Sequence, residues 1–178
     1  MSLKKFKVGF LGNWGTAYEI LKILNKSDQI KIKFAITQKR NNQINDKWYS
    51  IVYDYVEKNK IPFYDQKIFY KNNKILLDII KKSNIDLIVS VAYPFLINSE
   101  IIDFMNKKFG AVNLHGGLLP KYRGTTPIPW AIINQEKFLG MTLHYIDKGC
   151  DSGDIIDQKK VKNLLEDTLN DVTEKLKK

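Results

Sequence analysis

The feature that most constrains the fold is an alternation of apolar runs with amphipathic segments between Lys7 and Leu114. The apolar runs have the length of buried strands, and KVGFLG and DLIVSVA are the clearest of them. In the intervening segments apolar residues recur every three or four positions, as on one face of a helix. This alternation is typical of βαβ units and predicts an α/β, Rossmann-like fold, with a mostly parallel twisted sheet and helices on both faces.

Five strands alternate with four helices in this part of the predicted fold. The strands are predicted at 7–12, 31–37, 61–64, 86–92 and 110–114, the helices at 16–25, 48–59, 73–83 and 97–106, and a loop at 39–46. After Pro127 the pattern predicts a helix at 128–134, a strand pair at 138–147 and 154–161, and a helix at 166–178. The sequence has no internal repeat or linker, and a length of 178 residues fits one domain, 1–178.

Charge and cysteine content narrow the class of protein. The net charge is +10, yet 27 of the 29 basic residues are lysines and the arginines are Arg40 and Arg123. Proteins that read phosphates or base edges rely on the arginine fork, so we interpret the charge as a solvated lysine surface. A single cysteine excludes a disulfide framework and a cysteine-based zinc cluster. No segment resembles a signal peptide or membrane span, so we expect a cytoplasmic protein without membrane contact.

Three glycines lie in and just after the first predicted strand. Gly9, Gly12 and Gly15 are spaced G-x-x-G-x-x-G, at the place where a dinucleotide fingerprint occurs. The spacing differs from G-x-G-x-x-G, and no acidic residue follows the second strand to bind a ribose. A tight turn between strand and helix is the preferred interpretation.

The stretch NLHGGLLPKYRG, residues 113–124, carries the strongest functional signal. Strand side chains alternate, so Asn113 and His115 lie on one face at the end of a predicted strand, where α/β proteins bind ligands. An amide and an imidazole there predict a catalytic site. Asp151, in the loop KGCDSGD, could reach back to His115 and orient or charge it.

Other side chains receive weaker interpretations. The spacing of Asp147, Asp151 and Asp154 does not match that of a calcium-binding loop, so we predict no metal site. Cys150 is rejected as a nucleophile because nothing nearby would activate its thiol. His144 is interpreted as structural, and Trp130 is compatible with the core or with an acceptor pocket.

The chain resembles the 10-formyltetrahydrofolate-dependent formyltransferases. The resemblance rests on NLHGGLLPKYRG, TPIPWAIINQE and MTLHYIDKGCDSGDII, and extends back through SVAYPFLINSEIIDF. It implies a Rossmann-like formyltransferase domain that uses 10-formyltetrahydrofolate as co-substrate, without metal. The family's catalytic Asn, His and Asp fall on Asn113, His115 and Asp151.

The same resemblance implies which residues contact the folate. They are the segment Phe95, Leu96 and Ile97, the turn Gly117, Leu118, Leu119 and Pro120, and the loop Asp147, Lys148, Gly149 and Cys150.

The acceptor amine is less constrained. Tyr122, Arg123 and Gly124 separate the chain from glycinamide ribonucleotide enzymes, which leaves nucleotide-linked amino sugars and methionyl-tRNA. The tRNA enzymes add a C-terminal domain, and TTPIPWAI resembles the sugar enzymes more, so an amino sugar is expected. The short last helix also fits a truncated chain, which weakens that argument. A non-catalytic folate-binding relic stays open as an alternative, and an RNA-binding module lacks a supporting motif.

Overall fold

The computed structural model describes residues 4–40, 47–69 and 73–177. The chain forms two compact units, Met1–Ala111 and Val112–Lys178. The predicted loop at 39–46 lies mostly outside the described residues. No helix in the described part of the chain has both the length and the apolar character needed to cross a membrane.

The first unit is an alternating α/β structure, as the sequence pattern predicts. Its strands run parallel in the order β3-β2-β1-β4. The elements are β1 Phe6–Gly12, α1 Trp14–Lys26, β2 Ile30–Thr37, α2 Lys47–Lys58, β3 Phe63–Asp65, α3 Asn73–Ser83, β4 Leu87–Val91 and α4 Ser99–Met105.

The strand order also determines where the helices lie. The connections from β1 to β2 to β3 advance in one direction, whereas the connection from β3 to β4 returns past β1. Parallel crossovers are right-handed, so α1 and α2 cover one face and α3 the other. In agreement, α1 packs against α2 and α3 against α4. The prediction of helices on both faces is therefore confirmed.

Close packing of β1 against β4 explains one of the glycines after the first strand. A Cβ on Gly12 would lie 2.6 Å from the carbonyl oxygen of Val91. Gly15, in contrast, lies within α1.

A buried polar network fills the turn after β1. Asn13 is 1% exposed, and its Nδ2 donates to Gln66 Oε1 at 2.7 Å. Its Oδ1 accepts from Thr37 Oγ1 at 3.2 Å and from the Gln38 amide at 2.8 Å. One side chain thus links the carboxyl ends of β1, β2 and β3, which agrees with a structural role for this turn.

We expect Asn13→Ala to lower the free energy of unfolding by about 2–3 kcal/mol, because it leaves buried partners unsatisfied. Urea unfolding followed by circular dichroism would measure the change. Asn59→Ala, at an exposed helix end, is the matched control with an expected change below about 0.5 kcal/mol. Equal effects of the two variants would contradict the role of the network.

The second unit is built on antiparallel pairs. The elements are β5 Ala111–His115, α5 Pro127–Ile133, β6 Phe138–Tyr145, β7 Ile155–Lys162 and α6 Leu169–Lys177. β6 pairs antiparallel with both β5 and β7, and the predicted strand pair of β6 and β7 is confirmed. Its core joins Ala131, Leu139, Val172 and Leu176.

Capping side chains move two helix starts relative to the prediction. α4 begins at Ser99 because Asn98 Oδ1 accepts from the amides of Glu100 and Ile101. α6 begins at Leu169, where Thr168 and Asp171 hydrogen bond reciprocally. The sequence pattern predicts that Asn98 and Thr168 lie inside these helices, but each is the capping residue just before the first helical residue.

Candidate active site

The β5–β6 pairing assembles one polar face in the second unit. Asn113 pairs with His144, and His115 pairs with Thr142. Paired residues point to the same side of a sheet and alternate positions share that side. The four side chains therefore project from one face near the carboxyl end of β5.

Asp151 completes this cluster from the loop between β6 and β7. Its Oδ2 lies 3.4 Å from His115 Nδ1 and accepts from the Gly124 amide at 2.9 Å. Its Oδ1 lies 3.4 Å from Asn113 Nδ2 and 3.5 Å from His144 Nε2. Asp151 has φ of 48°, a left-handed conformation that Asp tolerates better than most residues. The sequence pattern and the family resemblance predict that Asn113, His115 and Asp151 lie together. In the structure Asp151 contacts both Asn113 and His115.

The surroundings of Asp151 keep it ionised. Burial by itself raises the pKa of this carboxyl, since the side chain is only 15% exposed. In its charged form His144 donates to the carboxylate, and this hydrogen bond, the one from the Gly124 amide and the charges of the two histidines outweigh burial and lower the pKa from 3.8 to about 2. The cluster thus holds a carboxylate at any physiological pH.

His115 is anchored through one ring nitrogen. Its Nε2 lies 2.7 Å from the carbonyl oxygen of Tyr122. A carbonyl oxygen can only accept, so Nε2 carries a proton. Nδ1, which faces Asp151, is the nitrogen that can gain or lose a proton in the site.

The turn that follows His115 is held by Thr142 and Gln158. Thr142 Oγ1 donates to the Gly117 carbonyl at 2.6 Å and accepts from the Leu119 amide at 3.1 Å. Gln158 Nε2 donates to the Leu119 carbonyl at 2.8 Å. A Cβ on Gly117 would lie 3.0 Å from His115 Nε2, so the close approach favours glycine. The turn is thereby fixed beside the catalytic candidates.

A cavity of about 340 Å³ adjoins this turn. Its lining includes Gly117, Leu118, Leu119 and Pro120, the four residues of the turn predicted to bind folate, together with Phe138 and Gln158. Apolar walls with a few polar groups are usual for small-molecule sites.

Comparison with known proteins identifies the family. Residues 6–178 match the family model described as "Formyl transferase". The chain belongs to the formyl transferase family.

Curated members of the formyl transferase family include methionyl-tRNA formyltransferases. The protein of that name from Prochlorococcus marinus (strain MIT 9515) is 33% identical over 92% of this chain and 50% of its own length. The bifunctional polymyxin resistance protein ArnA of Wigglesworthia glossinidia brevipalpis is 41% identical over 67% of this chain and 18% of its own length. The chain spans about half the length of the methionyl-tRNA formyltransferase from P. marinus.

Solved structures share the fold. Phosphoribosylglycinamide formyltransferase from Bacillus halodurans has a TM-score of 0.80 at 25% identity, covering 96% of this chain and 87% of that chain. The enzyme of the same name from Anaplasma phagocytophilum also has a TM-score of 0.80, at 22% identity, over 97% of this chain and 79% of that chain.

The remaining residues predicted to bind folate lie in two other places. Asp147, Lys148, Gly149 and Cys150 form the turn before Asp151, where Asp147 Oδ1 accepts from the Gly149 amide at 3.0 Å and from Ser152 Oγ at 2.7 Å. Phe95, Leu96 and Ile97 lie in the first unit between β4 and α4, and Leu96 is 74% exposed. Their contact with folate stays a prediction.

Two side chains left open by the sequence have defined surroundings. Burial raises the pKa of the Cys150 thiol, and the nearby Asp151 carboxylate raises it further. The thiol is therefore a poor nucleophile, as expected. Trp130 is 55% exposed on α5 and does not belong to the core.

His144 is the site residue that sequence reasoning missed. It is 2% exposed and contacts both Asn113 and Asp151. The interpretation as a structural strand histidine overlooked its partners, because they depend on the register between β5 and β6. A histidine two residues after Thr142 on the same strand face was the available signal.

The depressed pKa of Asp151 predicts a pH-dependent contribution to stability. The folded-state pKa lies below the unfolded value, so the contribution of about 2 kcal/mol is present above about pH 4–5 and is lost as pH falls through about 2. We expect Asp151→Asn to remove it, since Asn tolerates the left-handed backbone. The unfolding free energy of wild type should then fall more steeply than that of the variant between about pH 5 and 2. Parallel curves in denaturant titrations across that range would contradict the assignment.

Proposed function

We propose that this protein transfers a formyl group from 10-formyltetrahydrofolate to a primary amine. The observation that carries the proposal is the convergence of Asn113, His115 and Asp151 at the carboxyl end of β5. Membership of the formyl transferase family supports it. A cytoplasmic setting is part of the proposal.

The side chains match the charge that develops during such a transfer. Attack of an amine on the formyl carbon places negative charge on the formyl oxygen. The Asn113 amide and His115 Nδ1–H are donors that can stabilise this oxygen, and removing one such donor typically costs about 3 kcal/mol of barrier. Asp151, ionised by its surroundings, balances the positive charge of a protonated His115.

His115 carries the proton in this mechanism, while Asp151 stays ionised beside it. The attacking amine must lose a proton and the departing folate nitrogen must gain one. His115 Nδ1 can give its proton to the folate nitrogen and regain one from the amine, while Nε2 stays bonded to the Tyr122 carbonyl. The fixed Nε2 bond keeps the ring in one orientation throughout.

The folate supplies the formyl group, and the turn after β5 is suited to receive it. Gly117–Pro120 line a cavity with apolar walls, and Thr142 and Gln158 hold the turn in place. Backbone groups of the loop Asp147–Cys150 would complete the contacts in this unit, and contact of Phe95–Ile97 with folate stays a prediction from the resemblance.

Methionyl-tRNA is the preferred acceptor. Relatives with that activity in their names are 33% identical over 92% of the chain and 45% identical over 48% of it. The preference from the sequence for an amino sugar is therefore reversed. That preference relied in part on the length of the chain, and a chain that spans about half of a methionyl-tRNA formyltransferase does not distinguish the two acceptors by its length.

A nucleotide-linked amino sugar is the second candidate. The motif TTPIPWAI, residues 125–132, favours it by resemblance, and the exposed Trp130 on this segment could contact a sugar or base.

An acceptor panel tests the proposal. The protein would be incubated with 10-formyltetrahydrofolate and with methionylated initiator tRNA, amino-sugar nucleotides or glycinamide ribonucleotide, and tetrahydrofolate release would be followed. Uncharged tRNA is the matched control. We expect turnover with methionyl-tRNA, whereas turnover confined to amino-sugar nucleotides would select the second candidate. A protein that binds folate but formylates none of them would be the non-catalytic relic.

Substitution of the two donors to the formyl oxygen should reduce kcat far more than it weakens binding of the substrates. We expect Asn113→Ala and His115→Ala each to lower kcat by about 10²–10³-fold, because each removes a donor to the formyl oxygen. Asn170→Ala, an exposed position in the same unit, should leave kcat unchanged. Full activity of His115→Ala in steady-state assays would rule out the mechanism.

A further inference from the structure

His144 has a distinct partner at each ring nitrogen. Nδ1 lies 2.8 Å from the carbonyl oxygen of Tyr145, which can only accept, so Nδ1 carries a proton. Nε2 lies 3.2 Å from Asn113 Nδ2, which can only donate. The neutral ring, with a proton on Nδ1 and a lone pair on Nε2, satisfies both contacts.

The same contacts determine the orientation of the Asn113 amide. Its nitrogen end faces two acceptors, His144 Nε2 at 3.2 Å and Asp151 Oδ1 at 3.4 Å. The amide oxygen could accept from neither of them. The register of β5 and β6 places His144 opposite Asn113. This register therefore determines that the nitrogen end of the amide faces His144 and Asp151.

The geometry allows the two acceptors to use only one of the two amide protons. His144 Nε2 and Asp151 Oδ1 are 3.5 Å apart, so the three atoms form a nearly equilateral triangle. Seen from Asn113 Nδ2 the acceptors lie about 60° apart, whereas the N–H bonds of a planar amide diverge by about 120°. One N–H is shared between the acceptors, and the other is directed away from both.

We propose that His144 is a positioning residue, which binds one N–H of Asn113 and thereby directs the other N–H toward the formyl oxygen. This inference rests on the proposed function, because it assigns the second proton to the substrate. A preoriented donor costs no rearrangement when charge develops. Asp151 from the β6–β7 loop and His115 from β5, whose ring centre lies 6.3 Å away, are the titratable groups that face His144.

A double-mutant cycle tests the coupling. We expect His144→Leu to lower kcat at least about tenfold and to change the KM for the formyl donor less than about threefold. In an Asn113→Ala background the same change should alter kcat less than about twofold, because the residue through which His144 acts is gone. Additive effects of the two substitutions, or an unchanged kcat in His144→Leu, would overturn the proposal.

Two further variants separate positioning from folding. His144→Gln keeps an acceptor on the strand and should recover part of the lost kcat. Tyr145→Phe keeps the backbone carbonyl and should behave as wild type. Thermal unfolding and folate-binding stoichiometry give the folded fraction of each variant. Loss of kcat in His144→Leu that merely follows the folded fraction would overturn the proposal.

A spectroscopic measurement keeps the inference separate from the proposed function. If no acceptor is formylated, the proposed function fails, but long-range ¹H–¹⁵N spectra of the imidazoles still report the His144 contacts. In the neutral ring of His144 we expect the proton on Nδ1. Its Nε2 resonance should shift in Asn113→Ala, which removes the donor. A proton on Nε2, or an unshifted resonance, would overturn the proposal even in an active protein.

Discussion

The contacts of the Asp151 carboxylate are the interactions on which the rest of the site depends. The Gly124 amide, in the turn after β5, and His144, in β6, both contact its oxygens, so the carboxylate joins these two segments. Burial alone raises the pKa of the group, and these contacts outweigh that effect. A carboxylate held in this way gives His115 a fixed counter-charge.

The antiparallel pairing of β5 and β6 makes this arrangement possible. The β5–β6 pair places two histidines and an amide on one face. Thr142 and Gln158 then hold the glycine-rich turn against the same strands. In the first unit a comparable polar network around Asn13 occupies the turn after β1, where the glycine spacing predicted a tight turn rather than a nucleotide site.

The residues proposed to carry out formyl transfer and the surfaces that would select the acceptor are different parts of the protein. In the proposed mechanism the cluster around Asp151 supplies donors and a proton carrier that suit formyl transfer to any primary amine. Recognition of a tRNA or a sugar nucleotide needs surfaces beyond that cluster. This agrees with the finding that a solved phosphoribosylglycinamide formyltransferase shares the fold of this chain at 25% identity, while sequence relatives at 33% and 41% identity have other names.

The sequence by itself determined the α/β alternation, the hairpin and the three residues Asn113, His115 and Asp151, because period and motif are local properties of the chain. Helix starts were misplaced where caps such as Asn98 decide the first turn. His144 escaped notice, since its partners come from another strand and a loop. Only the tertiary structure, through the register of β5 and β6, decided that His144 faces Asn113 and which ring nitrogen of each histidine is bound.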